Sequence, residues 1–142
     1  MTSAVIGIGT LLKVGDGATP TEAFTTIAEV KSISGPSETR DTLDVTNMDS
    51  PNKYKEFVAT LIDGGTISCD INFIGDNTTQ NGLRTDMLAG TARNFQLLMA
   101  NTGASLYAFT AFVTEFSPSF DVESIVTASI SMKITGAVTF TP

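Results

Sequence analysis

The longest regular pattern in the chain lies at its C-terminal end. From Val126 to Phe140 the even positions are Val126, Ala128, Ile130, Met132, Ile134, Gly136, Val138 and Phe140. The odd positions between them are mostly polar, with Thr127, Ser129, Ser131, Lys133, Thr135 and Thr139. Alternation with a period of two predicts a half-buried strand. At about 3.3 Å per residue it would reach roughly 50 Å, against a usual strand of about five or six residues. A second such segment, Thr66–Ile74, sets Ile67, Cys69, Ile71 and Phe73 against Thr66, Ser68, Asp70 and Asn72. Cys69 therefore reads as a core residue. A hairpin is predicted from Asn94–Met99, a turn at Asn101-Thr102-Gly103, and a return strand Leu106–Phe116. The return strand is apolar on both faces in its middle, at Tyr107, Phe109, Phe112 and Val113, which predicts cover on both sides. Ser117-Pro118 is expected to break it.

The N-terminal half is less regular. Gly9–Val14 predicts a strand, Gly15-Asp16-Gly17 a turn, and Thr25–Ile33 a further strand of weaker pattern. A single helix is predicted between Thr78 and Ala89, with Leu83, Met87 and Leu88 on one stripe. Asp76, Asn77 and Thr78 are the alternatives for its N-cap, and Gly90 fits just past its end. The chain is thus mainly β with one helix. No internal repeat or domain boundary is evident, and 1–142 reads as one domain.

Residues 35–64 do not fit that regularity. Within 35–53 lie Pro36, Pro51 and many Thr, Ser and Asp, and the segment reads as a long loop. Loops beyond about 12–15 residues are uncommon unless functional or disordered. This one contains Leu43, Val45, Met48, Tyr54 and Phe57, more apolar surface than a disordered linker carries. Such side chains need something to bury against, so the segment is expected to make a protein–protein contact.

Composition narrows the chemistry. Of 142 residues only 16% are charged, against roughly 25% in typical soluble domains. Thr, Ser, Asn and Gly take the place of that charge. The net charge of −7 argues against specific nucleic-acid readout. The chain has no His and one Cys. Ser/His/Asp and Cys/His nucleophile systems are excluded, and no internal disulfide can form. Paired carboxylates are not excluded by letters, but no strand pattern sets two of them face to face. Ser50-Pro51-Asn52-Lys53 spells S-x-x-K, yet it sits in the long loop without its partner motifs. Gly7-Ile8-Gly9 is half of a nucleotide fingerprint with no helix after it. Asp41, Asp44 and Asp49 lack the spacing of a cation loop and read as solvated acids. Asn77-Thr78-Thr79 reads as helix capping rather than a glycosylation sequon. The apolar stretch Ala4–Leu12 has no basic flank and is a poor signal peptide. No apolar run approaches the roughly 20 residues of a membrane helix. No cofactor, metal or membrane partner is expected, and synthesis and assembly are expected in the cytoplasm.

Several stretches carry a resemblance. They are Ile27-Ala28-Glu29-Val30-Lys31-Ser32-Ile33-Ser34-Gly35-Pro36-Ser37, Arg40-Asp41-Thr42-Leu43-Asp44-Val45-Thr46, Asp49–Phe57, and Leu61-Ile62-Asp63-Gly64-Gly65. Together they resemble the tail tube (major tail) proteins of long, flexible-tailed, siphovirus-type phages. The resemblance implies a β-sandwich or partial barrel with one flanking helix, and a structural virion protein rather than an enzyme. It implies hexameric rings whose inner strands form a barrel around a lumen, stacked into a tube through long loops and terminal arms. Genomic DNA would pass through without specific binding. The implied partners are further copies of the chain, the tape measure protein, the tail terminator, and distal tail or baseplate proteins.

Carried over by position, Thr39–Phe57 would be the stacking loop, with Arg40, Asp41, Leu43, Asp44, Val45, Met48, Lys53, Tyr54 and Phe57 at the contact. Met1–Gly9 would be an assembly-dependent arm. The lumen candidates are Ser68, Asp70, Asn72, Thr127, Ser129, Ser131 and Lys133. The family lumen is usually acidic, and Lys133 departs from that. The extra C-terminal domain of many members is expected to be absent, because the chain stops at Pro142. The alternative function is a monomeric receptor- or carbohydrate-binding β-module of a phage tail tip. The absence of Trp and the presence of only Tyr54 and Tyr107 argue against it. A small hydrolase is disfavoured by the missing His.

Overall fold

The computed structural model describes Ala4 and residues 7–142. Most of the expected N-terminal arm lies outside the described residues. Among the described residues nine strands and one α-helix follow in order. They are β1 (Leu11–Gly15), β2 (Phe24–Thr26), β3 (Val30–Ser34), β4 (Thr39–Asp44), β5 (Phe57–Asp63), β6 (Thr66–Asn72), α1 (Thr78–Ala89), β7 (Ala92–Leu98), β8 (Leu106–Ser119) and β9 (Thr127–Thr141). Seven strands form one sheet in the order β2-β1-β7-β8-β9-β6-β3, all neighbours antiparallel, and β4 and β5 pair separately.

The connection between β2 and β3 dictates the shape of that sheet. These strands are its two edges, yet only Ile27-Ala28-Glu29 joins them. Four Cα steps span at most about 15 Å, whereas seven strands laid flat measure about 29 Å from edge to edge. The sheet must therefore curl until its edges approach, giving a partial barrel. Ile27 is buried in the gap and donates its N–H to Leu12 O at 2.9 Å. Thr25–Ile33 is thus two strands and not the single strand expected from sequence. Glu29, at φ 58, sits in the left-handed region between them and breaks the extended run.

The concave side of the curl is the core. It contains Leu12, Phe95, Leu97, Phe109, Ala111, Val113, Ile67, Cys69, Ile71, Ile130, Met132 and Ile134, with Leu83 entering from α1. Phe95 and Phe109 stack with ring centroids 5.9 Å apart. The alternation read in β6 and β9 holds, with every apolar position from Ile67 to Ile71 and from Ala128 to Ile134 buried.

The helix keeps its expected bounds. Asn77 caps it, accepting from the N–H groups of Thr79 at 3.0 Å and Gln80 at 3.2 Å, and Gly90 ends it at φ 71. Gln80 is fully buried. Its Nε2 donates to Ala28 O and Asn72 O, both at 2.9 Å, and its Oε1 accepts from Ile74 N–H at 2.8 Å. One side chain thereby ties the helix start to the β2–β3 link and to the end of β6.

Strand β8 does not break at Ser117-Pro118. It runs to Ser119, with Pro118 opposite Ala128. Strand β7 ends its pairing at Phe112, so no neighbour on that side needs the N–H that proline lacks.

Candidate assembly surfaces

The segment 35–64 is not an irregular loop. Strands β4 and β5 pair from Thr39↔Asp63 to Asp44↔Phe57, with a bulge between Arg40 and Thr42. Strands β3 and β6 pair just above them, from Val30↔Ile71 to Ser34↔Ser68. The two pairs are therefore one long ribbon, half within the sheet and half projecting from it. The ribbon is pinched where they meet. A Cβ on Gly35 (φ 113) would stand 2.6 Å from Thr66 O, and one on Gly65 (φ 76) would overlap the Ser37 carbonyl. Both positions need glycine, for the positive φ and for the close approach.

Every residue of β4 and β5 is exposed. Leu43 faces Val58 across the pair on one face; on the other, Phe57 lies opposite Asp44 and, past the bulge, Ile62 lies opposite Arg40. Leu61 is 89% exposed and Leu43 59%. A two-stranded hairpin alone is marginal in water, and this one exposes apolar side chains on both faces.

The tip, in contrast, is tied internally. Val45 N–H donates to Glu56 O at 2.9 Å, and Ser50 Oγ donates to Glu56 Oε2 at 2.7 Å. Asn47 N–H donates to Ser50 Oγ at 3.0 Å, and Asp49 N–H donates to Asn47 Oδ1 at 2.8 Å. Asp44 accepts from Thr46 N–H at 2.9 Å, and hydrogen bonding by Thr46 holds its carboxyl below the usual value. Around this frame Met48, Lys53 and Tyr54 point to solvent, with Asn52 and Lys53 at positive φ. Of the expected stacking residues, Arg40, Asp41, Leu43 and Asp44 lie on β4, Val45, Met48, Lys53 and Tyr54 at the tip, and Phe57 at the start of β5.

The expected lumen residues come together on the convex face of β6 and β9. Ser68 lies opposite Ser131, Asp70 opposite Ser129 and Asn72 opposite Thr127, while Lys133 lies opposite Thr66. Asp70 accepts from Ser129 Oγ at 2.8 Å and from Ser32 Oγ at 3.2 Å. Asn72 is half-buried, and its Oδ1 is enclosed without a hydrogen-bond partner among the described residues. Lys133 donates to Asp63 Oδ1 at 2.8 Å, so its charge is matched by the root of the projecting hairpin. That contact, helped by Gly65 N–H, holds the Asp63 carboxyl below its ordinary range.

The ribbon of β8 and β9 also leaves edges open. It runs from Leu106↔Thr141 at one end to Ser119↔Thr127 at the other. Strand β7 covers β8 only up to Phe112, and β6 covers β9 only up to Lys133. The free halves, 113–119 of β8 and 135–141 of β9, lie diagonally across from each other. Open strand edges are templates for pairing.

Sequence reasoning missed the apolar residues of β5, Val58, Leu61 and Ile62, because a strand exposed on both faces shows no alternation to read. It also passed over Phe120, Val122 and Ile125, which are 70%, 104% and 63% exposed in the β8–β9 turn. Their spacing among Asp121, Glu123 and Ser124 was the available signal. Elsewhere, a hollow between α1 and β1 is lined by Thr78, Thr79, Asp86 and Arg93. There the Arg93 guanidinium grips Asp86 with two hydrogen bonds of 3.1 Å.

Solved structures share this architecture. A chain from the tail of an empty gene transfer agent particle with C6 symmetry aligns at TM-score 0.73 and 22% identity, covering 98% of this chain and 100% of that one. A chain from the sheath/tube terminator of an extracellular contractile injection system aligns at 0.74 and 15% identity, covering 100% and 99%. The SPP1 tail tube aligns at 0.64 and 12% identity, covering 96% and 78%. The fold is that of tail tube proteins, the structural subunits of phage tails and related particles. At the level of sequence, residues 14–141 match the family described as lambda phage tail tube protein, and the chain belongs to that family. No curated protein matches the sequence.

Proposed function

We propose that six copies of this chain close into a ring and that the rings stack into a tail tube conducting genomic DNA. The observation that carries this reading is the hairpin β4–β5, exposed along its whole length and apolar on both faces. Such a surface is explained by burial against further copies. Ring closure follows from the open halves of the long ribbon. The chain runs one way in β8 and the opposite way in β9. Rotation about a ring axis therefore brings the free edge of β8 in one copy antiparallel to the free edge of β9 in the next. Strand tilt supplies the stagger that the diagonal offset requires.

In this reading the convex face of β6 and β9 lines the lumen. Hydroxyls dominate it, with Asp70 held by Ser32 and Ser129 and Lys133 neutralised by Asp63. A polar wall without free cations lets DNA slide without sticking. The tube would be built in the host cytoplasm and become part of the virion tail. A tape measure protein, a terminator and distal tail or baseplate proteins are its expected partners.

Negative-stain microscopy of purified protein tests the proposal. Tubes or rings with six-fold end views are expected. A protein that stays monomeric at high concentration, even with tail initiators added, would overturn it.

A further inference from the structure

The assembly reading leaves open what the hairpin tip touches. The register of the strands narrows the answer. The projecting hairpin leaves the sheet at the level of Lys133, where Asp63 meets it, and its root borders Ile134–Val138 of β9. It therefore departs toward the end of the ribbon where Leu106 pairs with Thr141. The β8–β9 turn closes the opposite end, beyond Ser119↔Thr127. Tip and turn lie at opposite poles of one subunit, so neither can meet the other within a chain. In a stack of identical rings they face each other.

The two poles also match chemically. The tip presents Met48 (101% exposed) and Tyr54 (74%), flanked by Lys53 and Lys55. The turn presents Phe120, Val122 and Ile125, interleaved with Asp121 and Glu123. None of these four charged side chains has an ion-pair partner among the described residues. At the tip the Asp44 and Glu56 carboxylates are already held by Thr46 and Ser50, and beside the exposed Asp49 the two lysines stand ready for the two anions of the other pole. Charges so arranged fix partner and register more than they add affinity.

We infer that the hairpin tip of one copy seats on the β8–β9 turn of a second copy in the adjacent ring. Lys53 and Lys55 meet Asp121 and Glu123 there, around an apolar centre. The inference rests on the tube reading and names the receiving surface for its hairpin.

A charge swap tests it in the full-length chain. K53E/K55E and D121K/E123K are each expected to fold normally, by circular dichroism, and to fail to form tubes. The four-fold variant carrying both changes is expected to form tubes again. In tubes of M48C/V122C, mild oxidation is expected to give a ladder of covalent oligomers, with Cys69 buried and out of reach. Wild-type tubes together with no rescue and no ladder would overturn this docking while leaving the tube reading intact. Absence of tubes from the wild type would overturn both.

Discussion

Lys133 donates a hydrogen bond of 2.8 Å to Asp63 across the root of the projecting hairpin, joining the last residue of β5 to the middle of β9. Both partners are open to water, with side chains 45% and 60% exposed. An exposed pair adds little to folding stability, so its consequence is geometric. It fixes the angle at which the ribbon leaves the sheet just beyond the glycines that let it bend.

Lys133→Ala is therefore expected to leave the melting temperature nearly unchanged, to speed hydrogen exchange in 39–63, and to slow tube elongation. Acid should loosen the same segment in the wild type. The folded-state pKa of Asp63 lies below its ordinary 3.8, chiefly through the hydrogen bond from Lys133. A depressed carboxylate contributes above its unfolded value and loses the contribution as pH falls through the folded one. Loosening confined to pH below about 3.8 is expected, read from amide exchange across a pH series. Loosening already at neutral pH would show that the tether is not this pair.

The hairpin and the core should respond oppositely to mutation. Tyr54 is 74% exposed at the tip, while Phe95 is 1% exposed and stacked on Phe109. Tyr54→Ala, or removal of residues 42–50, is expected to preserve the thermal transition and prevent stacking. Phe95→Ala is expected to cost about 3–5 kcal/mol of stability. Calorimetry alongside microscopy checks both, and global unfolding of the hairpin variants would place that segment in the core.

How much of this was legible in the sequence depends on burial. Strands β6 and β9 could be read because one face packs on the core and the other does not, so Ile67, Cys69 and Ile71 alternate with Ser68 and Asp70. Helix α1 could be read from Asn77, Leu83 and Gly90, each placed by local physics. The β4–β5 hairpin could not, since neither face is buried within one chain and no alternation results. The split of β2 from β3 was hidden because Ile27 continues the apolar run while turning into the core. The family resemblance singled out this segment without showing that it is paired.

Cys69 lies 3% exposed in the middle of β6. Burial, with the neighbouring Asp70 charge, pushes its thiol up to about 12. The thiolate is the nucleophile, so folded protein at pH 8 is expected to resist thiol reagents and to react stoichiometrically once denatured. Rapid labelling of the native chain would show that the sheet opens at β6.

Gln80 offers the most discriminating test of how the sheet is held closed. It is fully buried, donates to Ala28 O and Asn72 O, and accepts from Ile74 N–H. Truncation to Ala strands three backbone groups, each costing on the order of 1–3 kcal/mol when left unsatisfied, although water entering the gap reduces the total. Gln80→Glu has nearly the same shape but replaces the two N–H donors with an oxygen facing two carbonyls. Burial and those carbonyls both disfavour the carboxylate, so its folded-state pKa rises above the unfolded one. A raised carboxylate makes the folded state bind more protons, and stability then grows as pH falls. Once protonated, the side chain regains one donor for Ala28 or Asn72. Gln80→Glu is thus expected to be less stable than wild type at neutral pH and to recover part of the difference toward pH 5. Denaturant melts of the two proteins at both pH values check this, and a variant gap independent of pH would mean that the carboxylate reaches solvent and that Gln80 does not pin the helix to the closing edge.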